Sequence, residues 1–360
     1  MPFTPTDHTH MAQALRLAEK GLFTTDPNPR VGCVLVKNGQ VIGRGWHHAA
    51  GQPHAEVLAL QEAGATARGA TAYVTLEPCS HQGRTPPCTG ALIEAGVGEV
   101  VAAMVDPFPD NAGHGLELLA RAGIQVRSGL MEAQARELNR GFVSRFERGR
   151  PWVRVKLAIS LDGRIAGPDR KSQWITGSPA REDTQRWRAR ASALLTGIDT
   201  VLADDPSLNL RLSGIDRQPL RIIADSRGRT PRDAKLFSLP GKVLIATTVE
   251  PAWQRDGVYW SRLAADAQGR VCLKSLIHGL VDHQVNELHV EAGGVLAGAL
   301  VAAGLVDELL IYQAPMIVGN GPAMLELPGM EKFAQRLHFN EIESRRIGSD
   351  RRVILRLKNE

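Results

Sequence analysis

At 360 residues and 39.0 kDa the chain is too long for one typical hydrophobic core and suits two domains. Its 43% hydrophobic and 22% charged residues are those of an ordinary soluble globular protein. A net charge of +5 with no Lys/Arg block suits anionic small molecules better than nucleic acid, and no apolar run reaches the roughly 20 residues that span a bilayer.

In chain order, residues 9–19 carry Met11, Ala14, Leu15 and Ala18 at helical spacing, with Asp7 or Thr9 available as a cap. The segment before them lacks the basic start and apolar run of a signal peptide, so the expected location is cytoplasmic, with no membrane or nucleic-acid partner. Pro27-Asn28-Pro29 then imposes a stiff loop, because each proline fixes its own φ and restrains the residue before it. Asn28 is there either as a turn residue or as a group aimed at a ligand. Asn38-Gly39 between 31–36 and 40–46 predicts a hairpin. Cys33, inside the first strand, reads as a small buried hydrophobe rather than a metal ligand. Of His47 and His48, strand alternation lets only one face a site.

The densest chemistry lies in Pro53-His54-Ala55-Glu56 and in the run from Pro78-Cys79 to Cys88. Four cysteines in so long a chain are no disulfide framework, and in a reducing cytosol the pair at 79 and 88 points to metal ligation. His54, Cys79 and Cys88 make three zinc ligands, one fewer than a closed structural site, which leaves a position for water. Residues i and i+2 of a helix lie about 200° apart, so His54 and Glu56 cannot share one flank of the helix expected over 54–63. The metal must therefore sit off that helix end. A strand over 72–76 feeds Cys79, and a second helix starts near Cys88, where the helix dipole favours a thiolate. Glu56 is then the group that carries a proton from water to a departing amine, as in zinc deaminases. Eight residues separate the cysteines, however, where deaminases in general have two. That insert holds His81, Arg84, Thr85 and two prolines, and an arginine in a stiff loop beside a metal suits a phosphate or a polar ring substituent.

Strands over 99–104 and 124–127 alternate with helices over 116–122 and 131–145, an α/β layered pattern, with a polar loop at 106–114 bordering the pocket. Residues 146–151 are the expected hinge between domains 1–147 and 151–360. The second half shows strands over 153–160, 193–197, 220–224 and 243–247, apolar as in a parallel sheet, and a helix from about Pro179. A strand over 288–291 runs through Ala292-Gly293-Gly294 into a helix over 296–303, a cradle for phosphate or simply a turn. A strand over 309–314 follows. Residues 250–285 carry little pattern, and Cys272 within them reads as structural.

Several segments go further together: Asn28-Pro29-Arg30-Val31-Gly32, Pro53-His54-Ala55-Glu56-Val57, the full run Leu76 to Cys88, Ser160-Leu161-Asp162-Gly163-Arg164, Ser172-Gln173-Trp174-Ile175-Thr176, Ala203-Asp204-Asp205-Pro206 and Glu291-Ala292-Gly293. In these the chain resembles, over essentially its full length, the bifunctional deaminase–reductase family of riboflavin biosynthesis, and the long cysteine spacing is that family's own. The resemblance implies an α/β protein with an N-terminal cytidine-deaminase-like three-layer α/β/α domain and a C-terminal dihydrofolate-reductase-like α/β domain. It implies hydrolytic deamination of 2,5-diamino-6-ribosylamino-4(3H)-pyrimidinone 5′-phosphate by zinc-activated water, then NADPH reduction of the ribosyl side chain to ribityl. It further implies Zn2+ and NADPH as cofactors, this small phosphorylated pyrimidine as partner, and a homo-oligomer, dimer or tetramer, as the assembly.

At matching positions the resemblance implies zinc on His54, Cys79 and Cys88, with Glu56 as proton donor. It implies NADPH on Ala158, Trp174, Thr200, Asp204, Ser226, Gly293 and Gly294, with Asp204 near the reducing centre. Reductase substrate falls on Ser172, Arg188, Leu208, Arg211 and Glu291; Asn28, His81 and Arg84 are the substrate candidates of the deaminase half. Arg188 and Arg211 suit the substrate phosphate because a guanidinium grips it with two parallel hydrogen bonds. Ser226-Arg227-Gly228-Arg229 is either a grip for a 2′-phosphate or a solvated loop.

Overall fold

Asn38 and Gly39 adopt positive φ, 51° and 76°, the pair of left-handed residues that a tight type I′ turn requires. They join β1 (Gly32–Lys37) to β2 (Gln40–Trp46) in the expected antiparallel hairpin. β3 (Thr71–Val74) pairs antiparallel with the other side of β1, and β4 (Glu99–Ala102) and β5 (Gln125–Ser128) follow in parallel, giving the order β2-β1-β3-β4-β5. Alternation along β1 feeds two cores. Cys33 and Leu35 pack with Ala59, Leu92 and Leu119 of α2 (Ala55–Ala63), α3 (Cys88–Glu94) and α4 (His114–Arg121). Val34 and Val36 pack instead with Met11, Ala135 and Val143 of α1 (Pro5–Glu19), α5 (Glu132–Leu138) and α6 (Arg140–Arg148). The result is three layers, α/β/α. This computed structural model describes residues 2–83, 85–169, 174–327, 332 and 335–358, and divides into the compact units Met1–Gly149 and Arg150–Glu360.

Local details correct the expected boundaries. α1 begins at Pro5, not at 9, because Thr4 and Asp7 form a reciprocal capping box and proline is tolerated in a first turn. Asp7 also accepts from Tyr73 at 2.6 Å and from Arg127 at 3.2 Å, fastening α1 to β3 and β5. The helix expected over 131–145 is two helices, broken at Asn139 (φ −106°, ψ 23°). That side chain is spent on the backbone of Arg30, accepting from its N–H at 2.8 Å and donating to its carbonyl at 2.9 Å. α6 then runs on to Arg148, so the hinge expected over 146–151 narrows to Gly149, whose φ of 61° stops the helix, and the residues after it.

In the second unit, β6 (Trp152–Ile159), β7 (Ala193–Gly197), β8 (Leu220–Ala224), β9 (Val243–Thr247), β10 (Val258–Arg262), β11 (Glu287–Glu291) and β12 (Glu308–Gln313) are parallel, as the apolar runs of all but β10 predict. A hairpin of β13 (Phe339–Ile347) and β14 (Asp350–Leu357) adds antiparallel at one edge, giving β10-β9-β8-β7-β11-β6-β12-β14-β13. Ile222 and Leu244 face a core shared with α9 (Leu273–Gly279) and α10 (Gly294–Ala302). Ile223 and Ile245 face the opposite core with α8 (Ile198–Asp204), while Ala180 and Trp187 of the long α7 (Ser178–Arg190) pack with Leu310, Tyr312 and Ile354. The C-terminal hairpin has no clear sequence signal because β13 is an exposed edge strand whose apolar residues, Phe339, Ile342 and Ile347, do not alternate. α8, β10 and α9 were equally unsignalled, each being only five to seven residues long.

Candidate active site

Two glycines place the helix that carries Glu56. A Cβ at Gly45 would run into the carbonyl oxygen of Ala55, and one at Gly43 into that of Ala59, so α2 can lie directly on β2 only because both positions lack side chains. His54 is the N-cap of α2, with extended backbone (φ −76°, ψ 166°), and Glu56 stands in the first turn. From the other side, the segment carrying Cys79 is braced by Glu77. Its carboxylate accepts backbone N–H groups from Asp106 and Gly113 at 2.9 Å, Gly115 at 2.8 Å and Leu116 at 3.3 Å. Asn111 accepts from both the backbone and the hydroxyl of Ser80, at 2.9 and 2.8 Å. The loop at 106–114, expected to border the pocket, thus braces the cysteine segment through Glu77 and Asn111. Cys88 opens α3, and its N–H donates to the Cys79 sulfur at 3.3 Å.

One ring nitrogen and the two sulfurs of His54, Cys79 and Cys88 all lie within 4.8 Å of one another. His54 Nδ1 is 3.6 Å from Cys79 Sγ and 3.3 Å from Cys88 Sγ. Hydrogen bonding from Cys88, and then from His54, drops the Cys79 thiol to about 4, while Cys79 and burial raise Cys88. Glu56 is 3% exposed, with one carboxylate oxygen lacking any partner. Burial, and then the Cys79 charge, push its carboxyl up to about 7. Three soft or nitrogenous donors converging beside a buried carboxylate with one free oxygen are a donor set that fits zinc. Cys33 is not in this group; it is fully buried in the sheet core, as expected.

The paired histidines separate as strand alternation requires. His47 turns inward, its ring 5.1 Å from that of His54, while His48 is exposed and stacks on Trp46 at 3.9 Å. His47 Nδ1 donates to the Pro53 carbonyl at 3.2 Å and its Nε2 accepts from Asn28 at 3.0 Å. Asn28 is therefore tied through His47 into the frame behind His54. His81 packs edge-on against Phe108 at 5.3 Å, and Phe108 against Phe146 at 5.1 Å. Arg84 lies outside the described residues. Thr85 was noted in the sequence only as part of the insert, yet its hydroxyl stands 3.3 Å from His54 Nε2.

In the second unit the strand order supplies its own pointer. From β7 the chain moves outward through β8, whereas from β11 it crosses to β12 on the other side, so the switch point falls between β7 and β11. Ligands of open α/β sheets bind at such a point, off the carboxyl ends of the strands. Thr200 and Asp204 lie on α8, directly after β7; Glu291 ends β11, and Gly293 and Gly294 open α10. Open space faces Gly293, while Gly294 is pressed against the backbone of Ala323 and Met324. Arg188 and Glu291, both expected on the substrate, grip each other through two hydrogen bonds of 2.5 and 2.9 Å. Burial opposes the charge, but Arg188 holds the Glu291 carboxyl well below its ordinary range.

Lys156 pairs with Glu291 by register across β6 and β11; burial lowers its ammonium and the Glu291 charge opposes that. His289 Nε2 lies 3.5 Å from the same carboxylate. Sequence reasoning missed both, although a lysine inside the apolar run of β6 was a usable signal. The remaining expected positions are more scattered. Ala158 sits within β6, in register with Tyr312, and Trp174 is 78% exposed with the Arg181 guanidinium over its ring at 4.4 Å. Ser226 accepts from the Val271 N–H at 2.9 Å, one strand beyond the cleft, and the side chain of Leu208 is buried against Ala191 and Leu194, leaving only its backbone for a ligand. Arg211 is exposed, its N–H bonded to Gln185 at 2.9 Å. Ser172 lies outside the described residues.

A zinc-type ligand trio on a three-layer unit, joined in one chain to an α/β unit with a switch-point cleft, defines a two-domain deaminase–reductase. Comparison with known families agrees: residues 4–104 match the cytidine and deoxycytidylate deaminase zinc-binding region, and residues 151–353 the RibD C-terminal domain. The riboflavin biosynthesis protein RibD of Escherichia coli (strain K12) is 48% identical over 357 residues, covering 96% of this chain and 97% of the relative. Acinetobacter baumannii RibD, form 1, superposes with a TM-score of 0.91 at 44% identity, over 98% of this chain and 99% of that one. A diaminohydroxyphosphoribosylaminopyrimidine deaminase/5-amino-6-(5-phosphoribosylamino)uracil reductase from Thermotoga maritima gives 0.88 at 32% identity, over 98% and 99%. The chain belongs to the RibD family of riboflavin biosynthesis, whose members join a deaminase to a reductase. Its two units accordingly have the cytidine-deaminase-like and dihydrofolate-reductase-like folds that the motifs implied.

Proposed function

We propose that the N-terminal unit deaminates 2,5-diamino-6-ribosylamino-4(3H)-pyrimidinone 5′-phosphate by hydrolysis, and that the C-terminal unit then uses NADPH to reduce the ribosyl side chain to ribityl. The observation that carries the first half is the convergence of His54, Cys79 and Cys88 beside the buried carboxylate of Glu56, one oxygen of which has no partner. Zinc, when held by those three residues, supplies a Lewis acid that makes water acidic enough to act as a nucleophile near neutral pH. Glu56, poised near 7, takes a proton from the water and delivers it to the amine that leaves as ammonia. His81 and Phe108 offer aromatic surface for the pyrimidine ring. Asn28, held by His47, and Arg84 supply its polar contacts.

For the second half, the reading rests on the switch-point cleft. The N-terminus of α10 at Gly293 and Gly294 suits the cofactor's phosphates, and Thr200 and Asp204 stand after β7 across the same point. Arg188 of α7, Glu291 at the end of β11 and Lys156 within β6 form a charged set suited to orienting a phosphorylated polyol. The same reading places the enzyme in the cytoplasm as a homo-oligomer, which light scattering would test; among the described residues no helix is long and apolar enough to cross a membrane.

The test is a coupled assay on purified protein that follows ammonia release and NADPH absorbance together. Glu56→Gln is expected to keep zinc, lose ammonia release by at least about 100-fold, the scale of a lost general acid–base group, and still oxidise NADPH with the deaminated substrate. Ammonia release that survives the substitution would remove Glu56 from the mechanism. Loss of both activities in a folded protein would show that the sites are not separate.

A further inference from the structure

The insert between the two cysteines presents His54 with a hydrogen-bonding partner. His54 Nδ1 faces the two sulfurs, so its other nitrogen, Nε2, points away from them, and the Thr85 hydroxyl lies there at 3.3 Å. With Nδ1 committed to a metal, Nε2 carries the ring hydrogen, and a hydroxyl oxygen is positioned to accept it. The partners of metal-bound histidines fix the rotation of the ring in this way. We propose that Thr85 is the positioning residue for His54, and that the long insert serves to deliver it; this rests on the zinc reading above.

The chain between Thr85 and the metal site is unusually stiff. Pro86 and Pro87 each have a fixed φ, and each holds the residue before it in extended backbone. Pro87 is itself the N-cap of α3 (φ −64°, ψ 136°), and Cys88 is the first helical residue. Thr85-Pro86-Pro87-Cys88 is thus a short strut with the hydroxyl for His54 at one end and a thiol ligand at the other. The Gly83 N–H donates to the Thr85 carbonyl at 3.3 Å, just before the strut. Two residues between cysteines would leave no room for it.

The experiment compares full-length Thr85→Val and Thr85→Ser with the unaltered chain. Zinc affinity is read by competition with a chromophoric chelator, and the ligand field by the visible bands of the cobalt-loaded protein. Thr85→Val should weaken zinc by about 10- to 100-fold and shift the cobalt bands. Thr85→Ser, which keeps the hydroxyl, should restore both, and NADPH oxidation should be unchanged in either variant. Equal zinc affinity in Thr85→Val and the unaltered chain overturns the positioning role, as does a serine that restores nothing. If zinc stays tight in Thr85→Val but is lost in His54→Ala, only the positioning role falls. If the unaltered chain binds no zinc, the metal reading falls with it.

Discussion

Glu77 takes no proton in the proposed reaction, yet four backbone N–H groups converge on its carboxylate, which makes it the anchor between the Cys79 segment and the loop behind it. Glutamine in its place would turn an amide N–H2 toward donors that need an acceptor. An unsatisfied buried donor costs about 1–3 kcal/mol. For a unit of this size that is a fall in melting temperature of several degrees, about 2–4 °C per kcal/mol. Calorimetry on Glu77→Gln should show it in the transition of the deaminase unit, with zinc affinity weakened as the brace loosens; an unshifted transition would mean the loop is held by other contacts. Glu77 was in plain view in the motif, but its role was not. The convergence of His54, Cys79 and Cys88 was legible because their spacing is short and chemically specific. Partners such as Gly113 for Glu77, or Glu291 for Lys156, are set by loop return and strand register over long separations, and sequence spacing does not encode them. Thr85 was visible as a residue and silent as a function for the same reason.

Elements differ in how much they depend on what packs against them. β2 carries glycines facing α2, and the helix answers with Ala55, Ala59 and Ala63. This small-residue seam sets the height of α2 above the sheet, and with it the position of His54 and Glu56. Gly45→Ala would force the Ala55 carbonyl away, so it should lower stability, weaken zinc and reduce ammonia release while leaving NADPH oxidation intact. Gly90 is the contrast. It lies exposed within α3, where a Cβ meets nothing within 4 Å and the backbone is already helical. Gly90→Ala should therefore stabilise the protein by about 0.5–1 kcal/mol, seen as a higher denaturant midpoint. If both substitutions proved neutral, the seam would not be what fixes α2. Elements with a strong local pattern, such as the β1–β2 hairpin and the apolar strands of the second sheet, could be read directly. The break at Asn139 could not, because it depends on a bond to Arg30 more than a hundred residues away. The β13–β14 hairpin could not either, since an exposed edge strand carries almost no apolar alternation.

At the scale of the whole molecule, each unit buries its own two-sided sheet. The first has cores around Leu35 and around Val34; the second has cores around Ile222 and around Ile223. An independent core on both faces of a sheet is what a chain segment needs to fold alone. Each unit also holds a complete set of its proposed site residues: His54, Glu56, Cys79 and Cys88 lie before Gly149, and Arg188, Glu291 and Gly293 after it. Fragments 1–149 and 150–360 should therefore each fold with a cooperative melting transition. The first should bind zinc and release ammonia from the diaminopyrimidine phosphate without NADPH. The second should oxidise NADPH only when given the deaminated compound, and mixing the two should regenerate the coupled reaction at a rate limited by diffusion of the intermediate. A first fragment that folds and binds zinc but releases no ammonia would show that residues from the second unit complete the deaminase site. Reduction of the diaminopyrimidine itself by the second fragment would instead overturn the order of the two steps.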